Sequence, residues 1–418
     1  MSKPTRRPPK LSSALFSSAV GAGAPTGGLP PSPSAQNPTE VHDAHVELAS
    51  PGALVQWKTD AGDVYGPKIK SVVLALPANA ASKDALESLS LSPESGVIAL
   101  SIPYPLSGPP PELTAPVPIA YSFTFKQPSD ALVEALKWAS DKHPVDINVQ
   151  VDLLNGEQGW ESLEELIKVV TTQDSEGNSV PKPNSKPIVL SNLLPPPGAL
   201  AIPTVKLLSH PMYLAYQAHI ASISFNQNVY LKYLAPDWNT PTPTSPLPGA
   251  RPADPEGSIR DLDSEEKKEW KRRTKMYLGP AIEAFGYSRL LFGSSPSTTS
   301  TSTSNAGDWY QIAKESVAEL GVDQEGLDAV FGNNAKTIYD SEEKKEWKRR
   351  TKMYLGPAIE AFGYSRLIFG SSPSTASTST SNAGDWYQIA KESVAELGVD
   401  QEGLDAVFGN NAKTIYGA

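Results

Sequence analysis

The chain of 418 residues contains no cysteine. Disulfides, thiolate metal sites and cysteine nucleophiles are therefore excluded, and nothing ties the protein to an oxidising compartment. Basic charge is also in short supply. A net charge of -10 and a pI near 5.2 argue against a nucleic-acid partner, because a surface that tracks phosphates needs a basic excess. No apolar run approaches the roughly 18 residues of a membrane span, so the chain reads as soluble, with no membrane partner and a cytoplasmic location. A glycine-rich phosphate loop, a G-x-S-x-G elbow and an H-E-x-x-H helix are all missing.

What the chain has in excess is repetition. Residues 263–339 recur as residues 340–416, with only Leu291 against Ile368 and Thr299 against Ala376 changed. Repeat architectures use short, diverged units that each bury an apolar face on the next. Two near-identical 77-residue blocks (340 − 263 = 77) point instead to a recent duplication. The unique part, residues 1–339, is the protein to interpret, and its length suits one large barrel domain.

Residues 1–40 stand apart. Lys3, Arg6, Arg7 and Lys10 precede a Ser-, Ala-, Gly- and Pro-rich stretch with no acidic residue before Glu40. Such a composition buries too little to offset chain entropy, which predicts a disordered tail. A mitochondrial presequence would share the basic, Ser-rich character, but the prolines at 4, 8 and 9 break the amphipathic helix it needs.

From residue 64 onward, apolar runs alternate with helical patterns. Lys70–Leu76, Gly96–Ile102, Val117–Phe125, Val145–Leu153, Pro187–Leu190 and Asn228–Leu234 read as strands. Segments 129–140, 160–170 and 210–224 place apolar residues at helical spacing. This rhythm predicts a parallel sheet with crossover helices. Residues 235–263 form a long Pro-rich loop. Each repeat then reads as helix, strand, helix, helix: a charged helix kinked or divided at Gly279 and Pro280, a strand at 288–293, a helix opened by an Asp308/Gln311 capping box, and a last helix from Asp323. That is one closing unit of an α/β fold, present twice.

The run from Asn228 to Leu234, then AFGYSRLLFGSSPS (284–297), then GNNAKTIY (332–339) resembles the closing third of the amidohydrolase-related family of metal-dependent hydrolases and decarboxylases. There the text runs approximately N-V-Y-x-K, F-G-x-x-R-L-x-F-G-S-D-x-P and N-A-x-x-x-Y. The resemblance implies a (β/α)8 barrel with its site at the C-terminal ends of the strands, acting on small organic acids through a divalent metal, usually zinc. Where the family has its metal-binding Asp after the last strand, this chain has Ser295, beside Ser294. The middle-strand histidine aligns with Asn192, and the preceding strand offers Asn148 and Gln150. Serine and asparagine replace neither an anionic ligand nor a general base.

Asp43-Ala44-His45-Val46-Glu47 resembles the family's D-x-H-x-H, and the resemblance makes His45 and Glu47 weak candidates for metal ligands. Residues 36–41 ahead of them are polar, so no apolar strand is expected to end there, and a catalytic zinc needs a third protein ligand. His143, His210 and His219 read as structural. The expectation is a degenerate barrel with no cofactor, the alternative being Zn²⁺ or another divalent metal. Two rivals remain: an active hydrolase with a metal-free site built from Asn148, Asn192, Ser294 and Ser295, and a non-catalytic scaffold that binds a small molecule or a protein. The spare repeat further suggests a swapped homodimer.

Overall fold

The structure is a computed structural model that describes residues 36–48, 50–77, 86, 96–106, 113, 115–153, 156–175, 178–182, 185–198, 202–245, 263–296, 304–339, 342–371 and 383–417. Residues 1–35 of the predicted tail and 246–262 of the Pro-rich loop lie outside the described residues. The tail expectation stops short of residue 40, because Thr39 donates its backbone N–H to Asp328 (2.7 Å) and Gln324 donates to the Asn37 carbonyl (3.0 Å).

Eight strands form one parallel sheet: β1 (Val41–Glu47), β2 (Ile69–Ala75), β3 (Val97–Pro103), β4 (Ile119–Phe125), β5 (Val145–Val149), β8 (Ile188–Leu194), β9 (Val229–Tyr233) and β10 (Leu290–Phe292), neighbours in that order. A small antiparallel hairpin, β6 (Thr172–Ser175) with β7 (Asn178–Pro181), stands apart. The sheet curls into a nearly closed (β/α)8 barrel. Its two ends meet through loop and side-chain hydrogen bonds: the Ser295 N–H donates to the His45 carbonyl (3.1 Å) and the Glu47 N–H to Ser295 Oγ (3.1 Å). Gly293 makes this seam sterically feasible, because a Cβ there would come within 2.5 Å of Leu234 and 2.7 Å of His45.

Strand alternation divides the core in two. Outward residues such as Val72, Leu74, Leu100, Ile147, Leu190 and Leu231 pack against the helices. Inward positions form a second apolar cluster of alanines and aliphatics, Ala44, Val73, Ala99, Ala120, Val189 and Leu291, with Ala335, Ile338 and Tyr339 of the helix Asn334–Tyr339 filling the space between them. That helix is stitched in place by Asn334 Nδ2, which donates to the Tyr287 and Leu290 carbonyls (2.8 and 2.7 Å).

Two helix expectations need correction. The helix Glu265–Phe285 is one element through Pro280, so of the two expectations there, a kink or a division, it is the division that is overturned. Proline removes the donor that Met276 C=O would have used, and Tyr213 supplies a substitute, its hydroxyl donating to that carbonyl at 2.8 Å. The next helix, Ala306–Glu319, starts earlier than Asp308: Asn305 is its cap and accepts from the backbone N–H groups of Gly307 and Asp308.

The two repeats fare differently. In the first, Leu290–Phe292 pairs with β9 in parallel register. In the second, residues 367–369 form no strand, although the unit keeps the internal contacts of its twin. Trp386 Nε1 donates to the Gly370 carbonyl (3.0 Å) as Trp309 does to Gly293 (3.2 Å), and Asn411 bonds the Tyr364 and Leu367 carbonyls as Asn334 bonds those of Tyr287 and Leu290. Apart from an ion pair between Glu392 and Lys336 of the first unit, its outer face is largely exposed among the described residues: Tyr277 is 5% exposed and Tyr354 72%, Phe285 3% and Phe362 58%, Tyr339 1% and Tyr416 76%.

Candidate functional site

The polar residues of the barrel fall into three groups. The first lies at the seam. Residues 41–47 form a buried strand, contrary to the expectation from the polar residues before them. Two of its polar side chains find partners distant in sequence, His42 Nδ1 meeting Ser71 Oγ at 2.6 Å. Asp43 accepts from the Tyr65 hydroxyl (2.5 Å), the Ser294 N–H (3.1 Å) and the His45 N–H (2.9 Å). Burial pushes the Asp43 carboxyl up to about 6, against those hydrogen bonds, which pull it down. The Ser294 N–H and the N–H and hydroxyl of Ser295 thus join β10 to β1, whereas Ser294 Oγ is buried without a hydrogen bond of good geometry.

The second group occupies the barrel axis. Asp146 on β5 accepts from Ser101 Oγ on β3 (2.7 Å), Lys232 Nζ on β9 (2.7 Å) and the Tyr339 hydroxyl (2.5 Å). All four are almost fully buried. Burial alone would raise the Asp146 carboxyl, but the Lys232 ammonium and the two hydroxyl donors outweigh it and hold the group below the usual carboxylate range. His45 lies within electrostatic reach of this pair. Its imidazole is 5% exposed, and neither ring nitrogen makes a hydrogen bond of good geometry. Desolvation, with Lys232 adding to it and Asp146 opposing, takes His45 down to about 3, so the ring is neutral.

The third group is the Asn pair. Asn148 on β5 and Asn192 at the end of β8 are brought together, with Asn192 Nδ2 donating to Asn148 Oδ1 (2.7 Å) and to the Val149 carbonyl (3.3 Å). Asn192 takes a left-handed backbone (φ 65°), a conformation that asparagine tolerates better than most residues. Thr124, Asn148 and Ser191 share one register row across β4, β5 and β8. This pair stands on β5 and β8, and Ser294, Ser295, His45 and Glu47 stand on or beside β1 and β10.

A zinc site fits these residues poorly. Zn²⁺ in a catalytic site takes about three protein ligands, and among the described residues no three His, Asp or Glu side chains converge as a metal site would require. His45 offers unpartnered nitrogens, but a cation there would face the Lys232 ammonium. Glu47 is exposed at the strand end, and Asp146 is already committed.

The other histidines are structural. His143 sits edge-on to Tyr121 (5.1 Å between ring centroids), His210 caps the helix Pro211–Ser224, and His219 stacks on Trp160 (5.2 Å) beside Glu164. Asp146, Lys232 and Tyr339 were not singled out from the sequence. The available signal was a lysine in the middle of an apolar strand, NVYLKYL, and an Asp on the same face as Asn148 in VDINV.

No protein-family model matches the chain, and no curated protein matches it. Solved structures do. An amidohydrolase from Burkholderia multivorans with bound zinc matches 72% of this chain and 99% of its own at 13% identity and a TM-score of 0.45. The 2-pyrone-4,6-dicarboxylic acid hydrolase structure from Pseudomonas putida matches 72% of this chain and 97% of its own at 13% identity and a TM-score of 0.42. Amidohydrolase 2 from Bifidobacterium longum subsp. infantis matches 72% and 98% at 14% identity and a TM-score of 0.39.

Proposed function

We propose that this chain is an amidohydrolase-like barrel that has given up metal-dependent chemistry, with weak or no hydrolase activity of that kind. The observation that carries the reading is that no three His, Asp or Glu side chains come together among the described residues; His45 is buried without a hydrogen bond of good geometry to its ring, held neutral by desolvation with Lys232 adding and Asp146 opposing. The positions where the resembling family keeps a His and an Asp hold Asn192 and Ser295, and here those side chains bond to Asn148 and to the Glu47 backbone. Elemental analysis of protein purified without chelator tests this. We expect well under one equivalent of Zn²⁺ or Mn²⁺, and no gain in melting temperature on adding Zn²⁺. A stoichiometric metal that survives dialysis would restore His45 and Glu47 as ligands and defeat the proposal.

A second reading, binding without catalysis, is favoured by the neutral polar row of Thr124, Asn148 and Ser191. Amides and hydroxyls hydrogen-bond a small organic acid without supplying a nucleophile or a base. Thermal-shift screening of small carboxylic acids against the wild type and Asn148→Ala separates this reading from an empty scaffold: a shift present in the first and lost in the second supports it, and no shift with any acid removes it.

A further inference from the structure

We infer that the second repeat, residues 342–417, is a ready occupant of the slot that the first fills, so that either unit can close the barrel and the two exchange within one chain. The slot is defined by contacts of the first unit. Trp270 packs on Trp238 (4.7 Å between ring centroids), Tyr277 meets Tyr216 edge-on (5.0 Å), Leu290–Phe292 adds to β9, and Tyr339 reaches Asp146. The counterparts 77 positions on are Trp347, Tyr354, Leu367–Phe369 and Tyr416, identical except for Ile368 in place of Leu291. Trp347, Tyr354 and Tyr416 are exposed large hydrophobics. Their complement is therefore already present in the molecule, as the surface that buries their twins.

The spare unit need not refold to dock. Its internal core matches that of the docked unit: the Phe369 ring lies 5.0 Å from Phe408, as Phe292 lies 4.7 Å from Phe331. The glycines carry the same message. At Gly293 and Gly332 an added Cβ would press on barrel atoms, whereas at Gly370 and Gly409 it would meet nothing within 4 Å. Docking of the second unit adds 77 residues to the closing loop. The logarithmic cost of loop closure turns that into a bias of roughly tenfold toward the first unit.

Swapping between chains gains nothing further. Two chains have two slots and four units, so two units stay undocked however they are dealt, and the tether favours exchange within one chain.

Val substitutions at the paired glycines test the inference in the full-length protein. Gly370→Val should be silent. Gly293→Val should stay folded and monomeric, with the unfolding equilibrium shifted about tenfold and limited proteolysis moving from the second repeat into the first. The double variant should lose the cooperative transition of the barrel. The inference is overturned if Gly293→Val is as damaging as the double variant, if Gly370→Val alone destabilises, or if Gly293→Val survives only as a dimer on size exclusion. If the double variant resembles wild type, valine fits at 293, and Trp270→Asp with Trp347→Asp poses the same question: rescue of the first change that depends on Trp347 supports exchange, and no such dependence rejects it.

Discussion

Replacing Lys232 with methionine should cost the barrel about 3–5 kcal/mol, because it leaves the Asp146 carboxylate buried without its cation. Wild-type Asp146 is held below the usual carboxylate range, despite burial, by Lys232, Tyr339 and Ser101. Its stabilising contribution is present above the unfolded value of 3.8 and is lost as pH falls through the lower folded value. Without Lys232 the sign reverses. Burial then dominates, the folded pKa rises above the unfolded one, and stability is lost as pH rises. His45 adds to this, since removing the ammonium lets it accept a proton beside Asp146. The gap between wild type and Lys232→Met should therefore widen from about pH 4 to pH 7. For a barrel of about 300 residues, with an unfolding entropy of about 2.1 cal/mol/K per residue, the loss corresponds to a melting temperature lower by about 5–8 °C at neutral pH. Urea unfolding across that pH range is the assay, with Asp146→Asn/Lys232→Met as the neutral reference expected to recover part of the loss. A cost below about 1 kcal/mol, or one that does not change with pH, would refute the reasoning.

Asp43, at about 6 in the fold against 3.8 unfolded, loses stability as pH rises through that window. Asp43→Asn should therefore gain on wild type by about 1.4 kcal/mol per pH unit between pH 4 and 6, read from urea midpoints. His45, at about 3 against 6.5, works the other way: its neutral form is favoured in the fold, and stability is lost as pH falls below 6.5. His45→Gln should accordingly gain on wild type by a similar slope between pH 6.5 and 4, and parallel curves would show that the ring is not held neutral. Tyr213→Phe removes the hydroxyl that serves the Met276 carbonyl ahead of Pro280 and should cost about 1–3 kcal/mol in denaturation. The double change Asn192→His/Ser295→Asp adds family-type ligands on β8 and beside β10; Zn²⁺ should then raise its melting temperature above any effect on wild type, and no rise would count against one shared barrel mouth for these positions.

Strands β2 and β3 were legible because a barrel strand is buried on both faces and reads as a continuous apolar run, as in KSVVLAL. The β1 segment hid for the opposite reason. His42 and Asp43 are buried there, and their partners, Ser71, Tyr65 and Ser294, lie up to 251 positions away. Local pattern cannot report a partner at that distance. The continuity of the helix through Pro280 depends likewise on Tyr213. The motifs behind the family resemblance turn out to describe architecture. Asn334 stitches, Tyr339 reaches the axis, and Arg289 clamps the Ser224 and Asn226 carbonyls (2.9 and 3.2 Å), so text of this kind identifies a fold more readily than a reaction. The Asn148–Asn192 pair was visible as residue types, but their convergence depended on strand order.

The Tyr339–Asp146 bond has a consequence for synthesis. The charge at the centre of the barrel is completed by the last residue of the first repeat, so an emerging chain cannot finish the barrel until residue 339 has left the ribosome. The second repeat follows 77 residues later, which at about 5–20 residues per second is a lead of roughly 4–15 s. Folding of a domain with such non-local pairing takes about milliseconds to seconds, so the first unit reaches the slot while its twin is still being made. Freshly translated protein should then expose only the second repeat to a protease, whereas protein refolded from denaturant should expose the first repeat in about one chain in ten, the equilibrium share.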